Sequence, residues 1–526
     1  MRKTLNTSAS TYDQIIRFNY MYVDKTDYLY KLIKLQTGQF FLSRPRRFGK
    51  SMTLSALKAI FEGKKESFKD QYIYDKPYNW KAYPIIHLSM NTMRADTAEN
   101  YERRLSKSLD VIAKNYNLTL DVGSSADKFE ELILALSKKE NDVVVLIDEY
   151  DKPILDNVLD LQKCTEIRSI LKSFYGQIKA NEDKLRFTFI TGVSKFTQVS
   201  IFSDMNNLKD ITMDRKFAGI CGFTQEECEH YFAEWITENT EELEISKTAY
   251  LAKLKDMYDG IRFTPKKLYL YNPVSFTNAM DNCDFVNYWV QTGTPTFLMN
   301  LLKKDYQNNF KDKVDISSFE NLKAKSYMFS SYEIDDLGII PLFYQTGYLT
   351  IKDYNIEKDE YILSYPNNEV KESILIRFVE LFSKSNRDKI GIMLIKLFDT
   401  LEENNMDEFM NTLKVYYANI DYDIQKKDEE CYQLIFYLLF SNLNFRINTE
   451  VKTNRGRMDA VIETPNRIFI FEFKLDKTAQ VAMDQIKDRE YYQKYLLAGK
   501  ELILVGANFD SKKANIGDWI VDKKIK

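Results

Sequence analysis

Two groups of residues in this chain have the types and spacing to do chemistry on phosphates. The first begins at Arg44-Pro45-Arg46-Arg47-Phe48-Gly49-Lys50-Ser51, between an apolar run and an amphipathic stretch. There the amides of Arg46, Arg47, Phe48 and Gly49 and the start of a helix would cradle phosphate. Lys50 would reach the β and γ oxygens, and the Ser51 hydroxyl would ligate Mg²⁺. Arg44 stands where G-x-x-x-x-G-K-S has its first glycine, and Pro45 removes one amide donor. A strand-helix turn that merely contains Gly-Lys-Ser is the plainer alternative. Further on, the apolar run Val143–Ile147 ends in Asp148-Glu149. Carboxylates at the end of a buried strand are costly unless they hold a cation or catalyse. Asp148 would hold Mg²⁺, directly or through water, and Glu149 would polarise the water that attacks a γ-phosphate; an exposed acidic strand end is the alternative. Thr191, Ser194 and Lys195 follow a third apolar run and are candidates to sense the γ-phosphate, with a simple turn equally open. Arg215 as an arginine finger has little support in the sequence.

The second group lies near the C-terminus. Glu450 stands nine residues before Asp459, and Glu472-Phe473-Lys474 follows on the next apolar run. Glu472 and Lys474 are two apart on a strand, so they share a face, and a hairpin brings Asp459 beside them. Three carboxylates at one spot repel each other and call for a divalent cation, with Mg²⁺ the best match for oxygen ligands. Such a metal would bind a phosphodiester oxygen and a water, with Lys474 orienting or deprotonating that water. Surface strands also alternate charged residues, but Phe471 and Phe473 on the opposite face weaken that reading.

These side chains require particular elements. The runs at 39–43, 84–90, 143–148 and 186–192 read as buried strands, alternating with helical patterns near 50–62, 98–116, 127–139 and 163–180. That alternation implies an α/β domain with a mostly parallel sheet and helices on both faces. Residues 226–425 read as mostly helical, without repeats. After a helix at about 428–441 come strands at 445–452, 457–463 and 468–474, a turn at Pro465-Asn466, a helix at about 478–497 and a strand at 501–507. The expected division is 1–225, 226–425 and 426–526, the last an α-β-β-β-α-β unit whose order resembles the restriction-endonuclease-like fold.

Composition narrows the chemistry. The 526 residues carry Lys+Arg 74 against Asp+Glu 77, so nucleic-acid contact would need a local basic patch. Only two histidines, His87 and His230, are present, which nearly removes His-rich metal sites and Ser-His-Asp hydrolases. The five cysteines form no CxxC pair, so a zinc ribbon is excluded and a disulfide scaffold is not expected. The N-terminal stretch lacks a secretory h-region and no apolar run reaches membrane-spanning length, so the expectation is a cytoplasmic protein with no membrane partner.

The segments VDKTDYL (23–29), RPRRFGKS (44–51), LIDEYD (146–151), ITGVSKF (190–196) and FSDMNNLKDIT (202–212) resemble the AAA-ATPase-like family. YDGIRF (258–263), YNPVSF (271–276) and YWVQTG (288–293) resemble its middle region. Members commonly carry a C-terminal domain of the PD-(D/E)XK nuclease superfamily. The spacing D-x(12)-E-x-K from Asp459 to Lys474 is similar to that superfamily's site, and Gln485 with Tyr491-Tyr492 is similar to its following helix. Met458 stands where many members have proline. Arg44 in the phosphate loop is then similar to the family norm. The resemblance implies an ATP-binding, ATP-hydrolysing protein coupled to a Mg²⁺-dependent DNA nuclease domain. Its partners would be ATP and DNA, with homo-oligomer formation left open. The alternatives are a nucleotide-dependent switch whose nuclease fold only binds nucleic acid or a partner, and a ligand-sensing ATPase of defence or regulation.

Overall fold

The computed structural model describes residues 3–5, 7, 11–35, 37–93, 95–138, 142–195, 201–202, 207–289, 298–299, 319–329, 339–382, 387–420, 436–440, 446–453 and 456–524. It divides into two compact units, Met1–Leu301 with Glu320–Val370, and Leu302–Phe319 with Lys371–Lys526.

The first unit opens with α1 (Tyr12–Arg17) and α2 (Thr26–Ile33), and is then built on alternating strands and helices. These are β1 (Gln39–Ser43), α3 (Lys50–Phe61), β2 (Ile85–Ser89), α4 (Ala98–Asn115), α5 (Ser125–Leu136), β3 (Val143–Asp148), α6 (Lys152–Leu155), α7 (Leu161–Ala180), β4 (Leu185–Gly192) and the short β5 (Lys209–Asp210). All the pairings are parallel and the order is β2-β3-β4-β1-β5. Every residue of β3 and β4 is buried, so both faces of the sheet are covered and the strands read as unbroken apolar runs. The helices start where side chains cap them. Thr97 accepts from Asn100 at α4, Ser124 and Asp127 form a capping box at α5, and Asp160 accepts from Lys163 at α7.

The order carries the functional consequence. The strand that feeds the phosphate loop, β1, pairs with β4 rather than with the acidic strand β3. The end of β4 therefore stands between the loop and Asp148.

The rest of the unit holds α8 (Gln225–Tyr231), α9 (Ala233–Glu242), α10 (Lys247–Tyr258), α11 (Pro273–Asn282), β6 (Leu322–Lys325), α12 (Ile339–Gln345), β7 (Thr350–Asn355) and β8 (Glu360–Ser364). The N-terminal residues Leu5 and Val23 join Phe232, Tyr250, Tyr258, Tyr271 and Phe276 in one core cluster. Lys25 clamps that junction, with its ammonium 2.6 Å from Glu227 in the capping box of α8. The antiparallel sheet β6-β8-β7 departs from the helical pattern expected here. Its strands are only four to six residues long and carry several charges, too short for alternation to stand out.

α13 (Asn368–Phe382) spans the change of unit. The second unit continues with α14 (Arg387–Glu402) and α15 (Met406–Ala418). Then come β9 (Arg446–Thr453), β10 (Gly456–Glu463), β11 (Arg467–Leu475), α16 (Ala479–Asp488), β12 (Glu501–Asp510) and β13 (Asn515–Lys524). The sheet order is β13-β12-β11-β10-β9, antiparallel except for the β11–β12 pair. Of the helix expected at 428–441, residues 436–440 are described and helical; the others lie outside the described residues. The helix expected at 478–497 is shorter, because Glu490 turns left-handed at φ 49 and a 3₁₀ turn, Tyr491–Tyr495, follows. β13 extends the expected α-β-β-β-α-β order by one strand. α16 lies so close on β12 that a Cβ at Gly506 would meet Met483 N at 2.6 Å and Ala479 O at 2.7 Å. Among the described residues no helix is long and apolar enough to cross a membrane.

Candidate active sites

The loop from β1 to α3 turns through two left-handed residues, Arg47 at φ 59 and Gly49 at φ 96. A Cβ on Gly49 would meet nothing within 4 Å, so glycine is needed there for its backbone and not for space. Gly49 is the N-cap of α3, so the amides that begin the helix have no side-chain cap. The Lys50 ammonium donates to the carbonyls of Arg44 and Pro45, each at 2.9 Å, and its pKa is lowered by burial against the pull of Asp148, Glu149 and Asp151. Arg44, fully buried, donates to the carbonyls of Ser43, Thr212 and Phe217 and lies 4.1 Å from the Phe263 ring centre. The side chain that replaces a glycine thus staples the base of the loop.

The expected acids surround this loop. Asp148 accepts the Ser51 hydroxyl at 2.5 Å on one oxygen and the Thr191 hydroxyl at 2.6 Å on the other. Those are the side chains assigned to Mg²⁺ and to phosphate sensing, joined by one carboxylate. Glu149 sits in left-handed backbone at φ 54. Its Oε2 is buried and accepts no hydrogen bond among the described residues, and burial raises its pKa despite Lys50 nearby.

A cleft of about 570 Å³ opens beside the loop, within the range of small-molecule sites. Arg46, Arg47, Phe48, Gly49, Lys50, Ser51 and Glu149 line its polar end, and Met21, Tyr22, Val23, Phe223 and Val274 an apolar end. The Phe48 ring itself packs edge-on to Phe263, with centroids 5.1 Å apart. Ser194 is turned to Asp151, donating its hydroxyl at 2.7 Å, and Lys195 pairs with Asp210 at 2.6 Å. Arg215 is exposed on a 3₁₀ turn and does not line the cleft. Asp151 was not singled out in the sequence. It is fully buried and accepts from the Val193 and Ser194 amides, with a pKa raised by burial. Its signal was the third acid of LIDEYD. The apolar end of the cleft, drawn from residues 21–23, 223 and 274, left no pattern to read.

In the second unit, β10 and β11 pair with Ala460 opposite Phe471. Asp459 accepts the Phe473 amide at 2.7 Å, which fixes it beside the Glu472-Phe473-Lys474 segment. Glu472 is 1% exposed; one oxygen receives the Lys474 ammonium at 2.7 Å and also the Gln485 side-chain amide from α16. Gln485 reaches the Tyr491 hydroxyl as well, at 3.3 Å. Phe471 and Phe473 occupy the other face, against Phe436, with Phe409 also near Phe471. The register Met458–Val451 and Ala460–Thr449 sets position 450 across from Asp459 on β9; the Glu450 side chain lies outside the described residues. Among the described residues no three His, Cys, Asp or Glu side chains converge as a metal cage. Asp459, Glu472 and the position of a third acid form an oxygen donor set that fits a hard divalent cation.

Comparison with known proteins covers both regions of the chain. Residues 7–202 match the family model described as predicted AAA-ATPase, and residues 427–519 match the PD-(D/E)XK nuclease superfamily. The chain is 30% identical over 537 residues to an uncharacterized protein in the vnfD 5'region of Azotobacter chroococcum mcd 1, covering 99% of each. With a parallel sheet that sets Ser51, Asp148 and Thr191 in contact and a separate sheet that joins Asp459, Glu472 and Lys474, the chain belongs to the AAA-ATPase-like family and carries a C-terminal PD-(D/E)XK nuclease superfamily domain.

Proposed function

We propose that this protein binds and hydrolyses ATP and that its C-terminal domain cleaves DNA. The observation that carries the first half is Glu149. A carboxylate held in left-handed backbone, with one oxygen buried and without a hydrogen bond, costs free energy that its own packing does not return. It lines the same cleft as Lys50 and Ser51, where such a group would take a proton from the water that attacks a terminal phosphate. Ser51 and Asp148 would hold the Mg²⁺ of the nucleotide, Lys50 would leave its loop carbonyls for the phosphates, and Arg46 and Arg47 line the polar end. The apolar end, with Tyr22, Val23 and Phe223, suits the base.

For the second half, Asp459 and Glu472, with Glu450, would hold Mg²⁺, which when bound supplies a water of lowered pKa and a counter-charge to the phosphodiester. Lys474 would stabilise the developing charge, and Gln485 would hold Glu472 in place through its hydrogen bond. We assign 1–225 to nucleotide chemistry, 226–425 to a lid or sensor segment and 426–526 to the nuclease fold. Cys221, Cys228 and Cys283 carry free thiols, which fits a reducing cytoplasm. One observation favours the second reading, a switch whose nuclease fold only binds. Lys474 already neutralises Glu472, as a purely structural ion pair would.

The test is cleavage of single-stranded, double-stranded and branched DNA by the whole chain with Mg²⁺ or Mn²⁺, with and without ATP. Metal-dependent cleavage supports the proposal. No cleavage under any of these conditions, alongside intact nucleotide binding, selects the switch.

A further inference from the structure

The cleft accounts for Lys50, Ser51, Asp148 and Glu149, and leaves a second set of contacts unused. The turn that follows β4, Val193-Ser194-Lys195, is gripped from three sides. Asp151 accepts the Val193 amide at 3.1 Å and the Ser194 amide at 2.8 Å. Ser43, the last residue of β1, donates its hydroxyl to the Val193 carbonyl at 2.7 Å. The third grip comes from 150 residues away, where Gln345 Oε1 accepts the Lys195 amide at 2.8 Å.

Gln345 ends α12, and the chain beyond it is fixed as closely. The Thr346 hydroxyl donates back to the Leu342 carbonyl at 2.6 Å. Gly347 turns at φ 87, and a Cβ there would lie 2.8 Å from Pro45 Cγ in the phosphate loop and 3.2 Å from the Trp289 ring. One tripeptide, Gln345-Thr346-Gly347, therefore touches both the phosphate loop and the turn that leaves the sensing strand. Gln345 is 7% exposed, Thr346 2% and Lys195 9%, so water does not replace these contacts.

Resting on the nucleotide reading above, we propose that Gln345 is a positioning residue through which the middle segment registers the terminal phosphate of the bound nucleotide. Ser51, Asp148 and Thr191 form a continuous chain of hydrogen bonds that ends on β4. A ligand that engages Ser51 and Asp148 changes the pull on Thr191 and so on the turn that begins two residues later. The Lys195 amide is buried, and losing its acceptor without a replacement is unfavourable. A shift of the turn is therefore passed to α12 rather than absorbed at the bond. By reciprocity, whatever holds α12 changes the preference for triphosphate over diphosphate.

The experiment measures the affinities of fluorescent ATP and ADP analogues, with Mg²⁺, for the full chain and for Gln345→Leu and Gln345→Glu. Gln345→Leu is expected to bind the diphosphate within about twofold of wild type while its triphosphate-to-diphosphate preference falls at least about fivefold. Gln345→Glu keeps an oxygen at the acceptor position and is expected to keep that preference within about twofold. If Gln345→Leu does not fold, Gln345→Asn, which withdraws the acceptor by one methylene, carries the same expected loss. An unchanged preference in the variant, or equal loss of both affinities with a lowered melting temperature, overturns the inference. A wild type that binds both analogues equally overturns it also. A wild type that binds neither overturns the nucleotide reading on which it rests, a result read without any variant.

Discussion

The nucleotide cleft and the C-terminal carboxylate site solve the same problem, acids carried by buried strands, in opposite ways. In the cleft the acids are held by neutral donors. Ser51 and Thr191 bond Asp148, while Ser194 and two amides bond Asp151. The Lys50 ammonium is engaged with carbonyl oxygens of its own loop, and that of Lys152, also on the cleft, pairs with Asp156. Those ammonium groups are thus turned to other partners, which on the proposed reading leaves Asp148 and Glu149 to an incoming cation. In the second unit the ammonium of Lys474 lies directly on Glu472, and Asp459 accepts the Phe473 amide. A cation arriving there competes with Lys474 for an oxygen, whereas one arriving at Asp148 competes with the Ser51 and Thr191 hydroxyls. Hydroxyls can stay as ligands, but an ammonium must move. On the proposed reading the first site would therefore take its ion with little rearrangement, and in the second the Lys474–Glu472 pair would have to open.

Breaking the second site is expected to have the largest effect. Asp459→Ala or Glu472→Ala should reduce metal-dependent DNA cleavage to background while nucleotide affinity stays unchanged, since each removes a hard oxygen donor. Lys474→Ala separates the roles. Divalent-cation binding, measured by calorimetry, should hold or tighten as the competitor is lost, yet cleavage should disappear. Lys474→Arg should restore little, because a guanidinium has another shape and does not give up a proton. Cleavage that survives both carboxylate changes would discard the site.

In the cleft the effects are graded. Glu149→Gln keeps size and loses the base, so ATP turnover should fall at least about a hundredfold with nucleotide affinity kept. Equal turnover in the two proteins would remove Glu149 from the chemistry. Lys50→Ala removes the ammonium that would meet the phosphates and should weaken ATP binding by about 2–3 kcal/mol. That is about 30- to 150-fold in Kd, read by titration calorimetry. Unchanged affinity would mean that the loop does not bind phosphate.

The sheet of the first unit was legible because parallel strands buried on both faces leave unbroken apolar runs. VVVLID is both the sequence run and the observed β3. Ser51, Asp148 and Thr191 were legible as types, and their mutual contact follows from the position of β4 between β3 and β1, which no local pattern encodes. Arg44 looked like a defect in a phosphate loop. Its work is on the carbonyls of Thr212 and Phe217, and such long-range partners leave no trace in spacing. Gln345 and Gly347 were missed for the same reason. β7 and β8 were missed because half-exposed short strands alternate too briefly, and β13 because Asp518 and Asp522 interrupt its apolar positions. In the C-terminal site, the period of two in Glu472-Phe473-Lys474 was enough to forecast both faces.

The smallest expected effect concerns an acid outside both sites and tests what burial alone does to a carboxyl. Asp259, in the YDGIRF segment, is 4% exposed, and its Oδ1 accepts no hydrogen bond among the described residues. It is held there by backbone. Its carbonyl accepts the Asn367 side chain at 2.7 Å, and at Gly260, φ 100, a Cβ would lie 2.1 Å from the Pro366 carbonyl oxygen. Burial pushes its pKa from 3.8 up to about 6, against the lowering by the Gly260 amide and Lys255. The folded state thus keeps a proton that the unfolded chain loses near pH 4. Stability is fully present below that pH and declines as pH rises through about 6, because the unfolded state binds fewer protons in that window. Above it, the charged form costs at most about 3 kcal/mol. Asp259→Asn keeps an oxygen for the Gly260 amide and carries no charge. It should stabilise the first unit by about 1–3 kcal/mol at pH 7.5 and by almost nothing at pH 4. Urea unfolding at the two pH values reads the difference. An equal shift at both, or a loss at pH 7.5, would show that Asp259 is held by a partner that prefers its charge. In that case an unbonded carboxylate such as Glu149 would not by itself signal a task, and the contrast between the two sites would rest on Lys474 alone.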